Sequence, residues 1–120
     1  MSKFSPNENS LTLKSGEKLS YDALVIAVGL ELNYEGIPGL VEGLENDKRI
    51  SSNYSTKYVN KTAQAVKDFK GGNAIFTFPT MPIKCPGAPQ KIMWIANDIW
   101  KNKLELSGKY TVEFNTGLPV

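Results

Sequence analysis

The single cysteine of the chain, Cys85, lies in a proline-rich segment, 79–91, that could perform thiol chemistry. Prolines at positions 79, 82, 86 and 89 fix the backbone φ angle and stiffen the loop around the sulfur. Lys84 and Lys91 flank the cysteine. Because cationic neighbours and a helix amino end favour the nucleophilic thiolate, one interpretation is a reactive thiol. The other is a small buried hydrophobic residue, the most common role of a free cysteine.

The elements that would position Cys85 are a strand before it and a helix after it. Residues 73–78 form a short β-branched and aromatic run, which is typical of a fully covered strand. A helix is predicted from Ala88 to about Lys103, because Pro89 suits a first turn and the apolar residues that follow recur at helical spacing. Open α/β sheets bind their ligands where strands end and helices begin.

The second half of the chain is predicted to form a strand–helix–strand unit. A helix over 56–70 precedes it, with Ser55 as its amino-terminal cap and a Gly-Gly pair as its stop. A second strand follows at 110–114, so the two strands would be parallel. The residues predicted to face inward from the first helix are Val59, Ala63, Val66 and Phe69.

The first half of the chain predicts a hairpin followed by a buried strand. Residues 1–20 alternate around a Gly-containing turn, which indicates a β-hairpin. Residues 23–28 are continuously apolar, so they predict a central strand covered on both faces. Gly29 ends this run and would let the backbone turn or approach a cofactor closely. Residues 30–54 show no periodic pattern and are interpreted as a linker between two units.

Composition excludes several classes of function. The 120 residues carry 14 basic and 12 acidic side chains, and a net charge of +2 is too small to indicate nucleic acid as a partner. There is no histidine, which excludes Ser-His-Asp and Cys-His catalysis and a zinc site, so no metal is expected. One cysteine cannot form an internal disulfide. No segment has the length of a transmembrane helix or the pattern of a targeting signal.

Three segments of the sequence together resemble sulfide:quinone oxidoreductase, in its mitochondrial form. They are Tyr21–Gly29, Asn73–Pro79 and Lys84–Lys91, which is the most specific of the three. The resemblance implies an α/β fold, as a partial flavoprotein of two Rossmann-like dinucleotide-binding domains with mainly parallel sheets. It assigns 1–34 to the hairpin and terminal strand of an FAD-binding domain, 35–54 to a linker and 55–120 to half of a second domain.

The resemblance also implies an enzyme that oxidises sulfide and passes electrons through FAD to quinone. Cys85 matches a cysteine that carries the sulfur, and Lys91 is expected from its spacing to stabilise negative charge there. Gly29, Pro82 and Lys84 are the expected contacts to FAD. The parent protein is expected at the mitochondrial inner membrane, which it would contact only through parts outside this chain.

The chain departs from the family in three ways. It has no G-x-G-x-x-G phosphate-binding loop, no second cysteine and no counterpart of the family's C-terminal membrane-contacting part. The chain is therefore expected to be an internal segment of the flavoprotein and inactive alone. Two alternatives stay open. One is a non-catalytic α/β module that binds a partner, with a homodimer among the possibilities. The other is a related NADH dehydrogenase or disulfide reductase.

Overall fold

The computed structural model describes residues 2–79 and 81–117. The chain divides into two compact units, Met1–Leu30 and Glu31–Val120. The first contains short antiparallel strands, and the second contains three α-helices and a parallel pair of strands among its described residues. The predicted α/β class is confirmed.

The first unit contains a three-stranded antiparallel sheet, in the order β1 (Lys3–Ser5), β2 (Ser10–Thr12) and β3 (Lys18–Ser20). Strands β2 and β3 form the predicted hairpin. Its turn is closed by the Leu13 N–H, which donates to the Glu17 carbonyl at 2.8 Å. The strand β1 was not distinguished in the sequence, because a proline-containing 3₁₀ turn separates it from β2.

In this chain the strand predicted over 23–28 is not formed, and these residues have no regular secondary structure. Their side chains are not covered either, since Val25 and Val28 are 87% and 80% exposed. A strand is stable only when a neighbour satisfies its backbone N–H and C=O groups. No described strand pairs with this segment. The apolar composition alone therefore did not produce a strand.

The second unit begins with helical structure that the sequence did not reveal. A 3₁₀ turn spans Tyr34–Gly36 and a helix, α1, spans Leu40–Asn46. The sequence analysis identified no helix in residues 30–54, and the interpretation of this stretch as a linker between two units stays a prediction. The helix is short and contains a glycine, so its own pattern is weak. The Leu44 side chain of α1 is only 1% exposed, which shows that packing stabilises the helix.

The predicted strand–helix–strand unit is confirmed, and its strands are parallel. Strand β4 (Gly72–Phe78) pairs with β5 (Tyr110–Thr116), with Ala74 opposite Val112. Helix α3 (Ala88–Asp98) connects them and continues as a wider π-helical turn over Ile99–Lys103. Only one face of β4 is covered, because Ala74 and Phe78 are buried while Ile75 is 57% exposed. The prediction of a fully covered strand is therefore wrong.

The helix before β4 starts later than predicted. Helix α2 spans Val59–Asp68, and its capping position is Tyr58. Ser55 is not the cap, because its hydroxyl accepts a hydrogen bond from the Lys57 N–H in a turn before the helix, at 3.1 Å. Of the predicted inward residues, Val66 is buried and Phe69 is half-buried, whereas Val59 and Ala63 are exposed. The late start leaves the first turn outside the core.

The core of the second unit lies between α2, α3 and the sheet. Trp100 is 3% exposed, and its ring centroid lies 4.2 Å from that of Phe69. Its indole N–H donates to the Val66 carbonyl at 2.8 Å, which joins the end of α3 to α2. The buried residues of this cluster are Val66, Ala74, Ala96, Trp100 and Leu106. The core therefore fixes both elements that flank the cysteine loop, β4 and α3.

Candidate functional site

Cys85 lies where the sequence predicts it, in the loop that joins the carboxyl end of β4 to the amino end of α3. The loop is anchored at both ends, because Phe78 is 4% exposed and Pro89, in the first turn of α3, is buried. Of the proline-rich segment, Thr80 lies outside the described residues. The thiol itself is exposed, so the interpretation of Cys85 as a buried hydrophobic residue is wrong.

The backbone of Cys85 is in the left-handed region, with φ at 53°. Residues other than glycine, asparagine and aspartate seldom adopt this conformation, and it costs on the order of 1 kcal/mol or more. Two hydrogen bonds hold the Cys85 carbonyl, one from the Ala88 N–H at 2.9 Å and one from the Tyr54 hydroxyl at 3.1 Å. The cysteine is therefore tied to the first turn of α3 on one side and to Tyr54 on the other.

Tyr54 is a site residue that the sequence analysis missed. It is half-buried, and burial raises the pKa of its phenol, as does negative charge on Cys85 to a smaller extent. Its backbone N–H donates to the Ser52 hydroxyl at 3.3 Å. The residue lies 31 positions before Cys85 in a segment without periodicity, so no local signal in the sequence connects the two.

The two lysines predicted to assist the thiol have exposed side chains. Lys84 precedes Cys85 directly, and Lys91 lies in the first turn of α3, where its backbone N–H donates to the Gly87 carbonyl at 3.1 Å. Within the described part of the chain, no hydrogen bond or ion pair occupies either amine. The structure does not bring either amine into contact with the thiol, so their roles stay predictions. Both charges are available to an external anion.

The other expected cofactor contacts were Gly29 and Pro82. Gly29, in the first unit, has a φ of 74°, and a Cβ added to it would meet nothing within 4 Å. This open backbone suits close approach by a planar ligand. Pro82 is exposed in the cysteine loop, and its peptide bond with Met81 is cis. The assignment of each residue to FAD stays a prediction, and the sequence provides no G-x-G-x-x-G loop for the phosphates of the cofactor.

Two kinds of feature are absent from the described residues. Residues 2–79 and 81–117 contain no group of three or more Cys, Asp and Glu side chains placed to hold a metal ion. No helix within these residues has both the length and the apolar character required to cross a membrane.

No family model matches the sequence. Three curated relatives that match it are each named "Sulfide:quinone oxidoreductase, mitochondrial". The protein of Mus musculus is 47% identical over 118 residues, which are 98% of this chain and 26% of the relative. The protein of Schizosaccharomyces pombe is 41% identical over 115 residues, which are 95% of this chain and 25% of the relative. The protein of Dictyostelium discoideum is 42% identical over 114 residues, which are 94% of this chain and 25% of the relative.

The resemblance predicted from the three sequence segments is thereby confirmed over nearly the whole chain. The chain spans about a quarter of the length of these curated relatives. The aligned region includes both the cysteine loop and Gly29, since the alignments cover 94% or more of the chain.

Proposed function

We propose that this chain is the part of a sulfide-oxidising, quinone-reducing flavoenzyme that carries its sulfur-binding cysteine, Cys85. The observation that carries the proposal is the exposed thiol in the loop between β4 and α3. It is supported by the identity of 41–47% to proteins named as sulfide:quinone oxidoreductases. The activity belongs to the whole protein, and this chain alone is proposed to be inactive because it lacks the phosphate-binding loop.

The net reaction at Cys85 forms a sulfur–sulfur bond between hydrosulfide and Sγ. From a thiolate and a hydrosulfide ion, it yields a persulfide anion and releases one proton and two electrons. FAD, if bound by the whole protein, would supply the acceptor for those two electrons, and a quinone would be the final oxidant. A nucleophilic acceptor then removes the outer sulfur and restores the Cys85 thiolate. The second cysteine that the family resemblance implies would come from another part of the whole protein.

The side chains around the loop are suited to an anionic sulfur. The persulfide and the thiolate are both negatively charged, and the amines of Lys84 and Lys91 have no partner within the described residues. The amino end of α3 adds a partial positive charge near the loop. The proposed flavin contacts are Gly29, Pro82 and Lys84, and residues outside this chain would hold the phosphates. The proposed location is the mitochondrial inner membrane, at its surface.

The test is the substitution Cys85→Ser in the whole flavin-loaded protein. Loss of the nucleophile is expected to lower sulfide-dependent quinone reduction on the order of 10³-fold or more, with the visible flavin absorbance retained. Lys101→Gln, which alters an exposed residue at the far end of the same helical segment, serves as the control and should leave turnover unchanged.

Two results would overturn the proposal. One is full turnover with sulfide in the Cys85→Ser protein, which would exclude Cys85 as the sulfur carrier. The other is reduction of the wild-type flavin by NADH and not by sulfide, which would favour a related NADH-oxidising flavoprotein.

A further inference from the structure

We infer that Tyr54 is a positioning residue, whose hydroxyl holds the backbone of Cys85 in the conformation from which its sulfur reacts. The inference rests on the proposed function of Cys85 as the sulfur carrier. It goes beyond that function because it assigns a role to a residue distant in sequence, which touches the cysteine through the main chain.

The first support is the hydrogen bonding of the Cys85 carbonyl. The Tyr54 hydroxyl donates to this oxygen at 3.1 Å, and the Ala88 N–H donates to it at 2.9 Å. The cysteine needs such support because its φ of 53° is unfavourable for a side chain with a Cβ. Tyr54 provides the only side-chain hydrogen bond to this carbonyl among the described residues.

The second support is that Tyr54 is itself held in place. Its N–H donates to the Ser52 hydroxyl at 3.3 Å, and that hydroxyl is also hydrogen-bonded to the Tyr34 hydroxyl at 2.7 Å. The Tyr34 ring meets the Tyr58 ring edge-on, with centroids 5.9 Å apart. Tyr58 is 8% exposed. The main chain of Tyr54 is thus held by a chain of contacts that ends at a buried ring.

The third support is electrostatic. Burial raises the pKa of Tyr54, and negative charge on Cys85 raises it further. The phenol therefore keeps its proton when the neighbouring sulfur is a thiolate, and a protonated phenol is the form that donates a hydrogen bond. The Tyr54 hydroxyl is therefore kept in the form that can donate to the Cys85 carbonyl.

The test compares Tyr54→Phe with Tyr110→Phe in the whole flavin-loaded protein. Both substitutions keep the ring and remove a hydroxyl that makes a hydrogen bond. The Tyr110 hydroxyl donates to Asn97 Oδ1 at 2.8 Å, near the opposite end of α3 from Cys85. The measured quantity is the rate at which iodoacetamide alkylates Cys85 at neutral pH, followed by mass spectrometry of the peptide that contains it.

Tyr54→Phe is expected to slow alkylation about fivefold, because a net hydrogen bond that favours the reactive conformation is lost. The kcat for sulfide oxidation should fall by a similar factor, with the KM for quinone unchanged. Tyr110→Phe should leave both rates at the wild-type values. An alkylation rate for Tyr54→Phe that is unchanged, or raised, would overturn the inference, as would an equal decrease in the two variants.

Ser52→Ala is a second variant that does not alter Tyr54 or Cys85. It removes the hydroxyl that accepts from the Tyr54 N–H, so alkylation should again be slower than in the wild type, and an unchanged rate would count against the inference. The alkylation rate does not depend on turnover. Failure of the proposed function, seen as full turnover in Cys85→Ser, is therefore distinguishable from failure of the inference about Tyr54.

Discussion

Two apolar runs of similar length behave differently in this chain. Residues 74–78 form most of strand β4, whereas residues 24–28 form no regular structure. Both runs are rich in β-branched and large apolar side chains, and they lie in the two segments, 73–78 and 23–28, for which a covered strand was predicted. The difference lies in their partners. The first run pairs with β5 and packs against α3, and the second run has no paired strand in the described part of the chain.

The comparison shows that an apolar run indicates only that the side chains of a segment can be buried. To form a strand, the segment also needs a neighbouring strand that satisfies its backbone N–H and C=O groups. Even β4 has one covered face, with Phe78 buried and Ile75 exposed, since helices pack against it from one side only. The number of covered faces is therefore a property of the surrounding elements. Composition alone does not determine it.

The largest expected difference between the two runs is in the cost of truncating a side chain. Phe78→Ala should lower the free energy of unfolding by about 3–5 kcal/mol, because Phe78 is 4% exposed and its removal leaves a cavity. Val25→Ala should change it by less than about 0.5 kcal/mol, because Val25 is 87% exposed. Denaturant unfolding followed by circular dichroism measures both. Similar losses in the two variants would show that residues 24–28 are packed.

A smaller decrease in the free energy of unfolding is expected when the core around β4 loses one hydrogen bond. Trp100→Phe removes the indole N–H that donates to the Val66 carbonyl, so a loss of about 1–3 kcal/mol is expected. Trp94→Phe is the matched control on the same helical segment, since Trp94 is 63% exposed, and it should be nearly neutral. Urea unfolding of the two variants provides the comparison. A neutral Trp100→Phe would show that this contact does not stabilise the core.

The smallest effect on stability concerns the contact between α1 and the two residues before α2, Lys57 and Tyr58. Hydrogen bonds from Lys57 and Tyr58 lower the pKa of Glu45 below its ordinary value of 4.5. Because the folded-state pKa is the lower one, the ionised carboxylate stabilises the fold above pH 4.5, and this stabilisation is lost as the pH falls through the folded-state value. Glu45→Gln should therefore be less stable than the wild type at neutral pH and converge with it in acid.

Thermal unfolding at a series of pH values measures this convergence. The control is Glu42→Gln on the same helix, because the Glu42 side chain makes no hydrogen bond or ion pair with the described residues. A constant stability difference between Glu45→Gln and the wild type at every pH would contradict the assignment.

The parts of the fold that were predictable from sequence are those with local signals. Strand β4, helix α3 and strand β5 each have an apolar pattern bounded by glycine or proline. Helix α1 was not predictable in this way, because its stability comes from distant contacts. The Lys61 amine donates to the Leu44 carbonyl at the end of α1, and the two residues are 17 positions apart.

The candidate site also has features that were predictable from the sequence and features that were not. The position of Cys85 between a strand and a helix followed from the patterns on either side of it. The left-handed backbone of Cys85 did not, because a cysteine gives no signal for a positive φ. The contact with Tyr54 was also hidden, since it joins residues 31 positions apart from segments with different patterns.

The central claim is that Cys85 carries the sulfur, and the most direct measurement is the mass of its peptide after one turnover. The flavin-loaded whole protein would be mixed with sulfide without an acceptor, quenched with iodoacetamide and digested. The account predicts that the Cys85 peptide is recovered with one additional sulfur atom, as an alkylated persulfide. Recovery of this peptide only as the simple alkylated thiol, while the flavin has been reduced by sulfide, would contradict it.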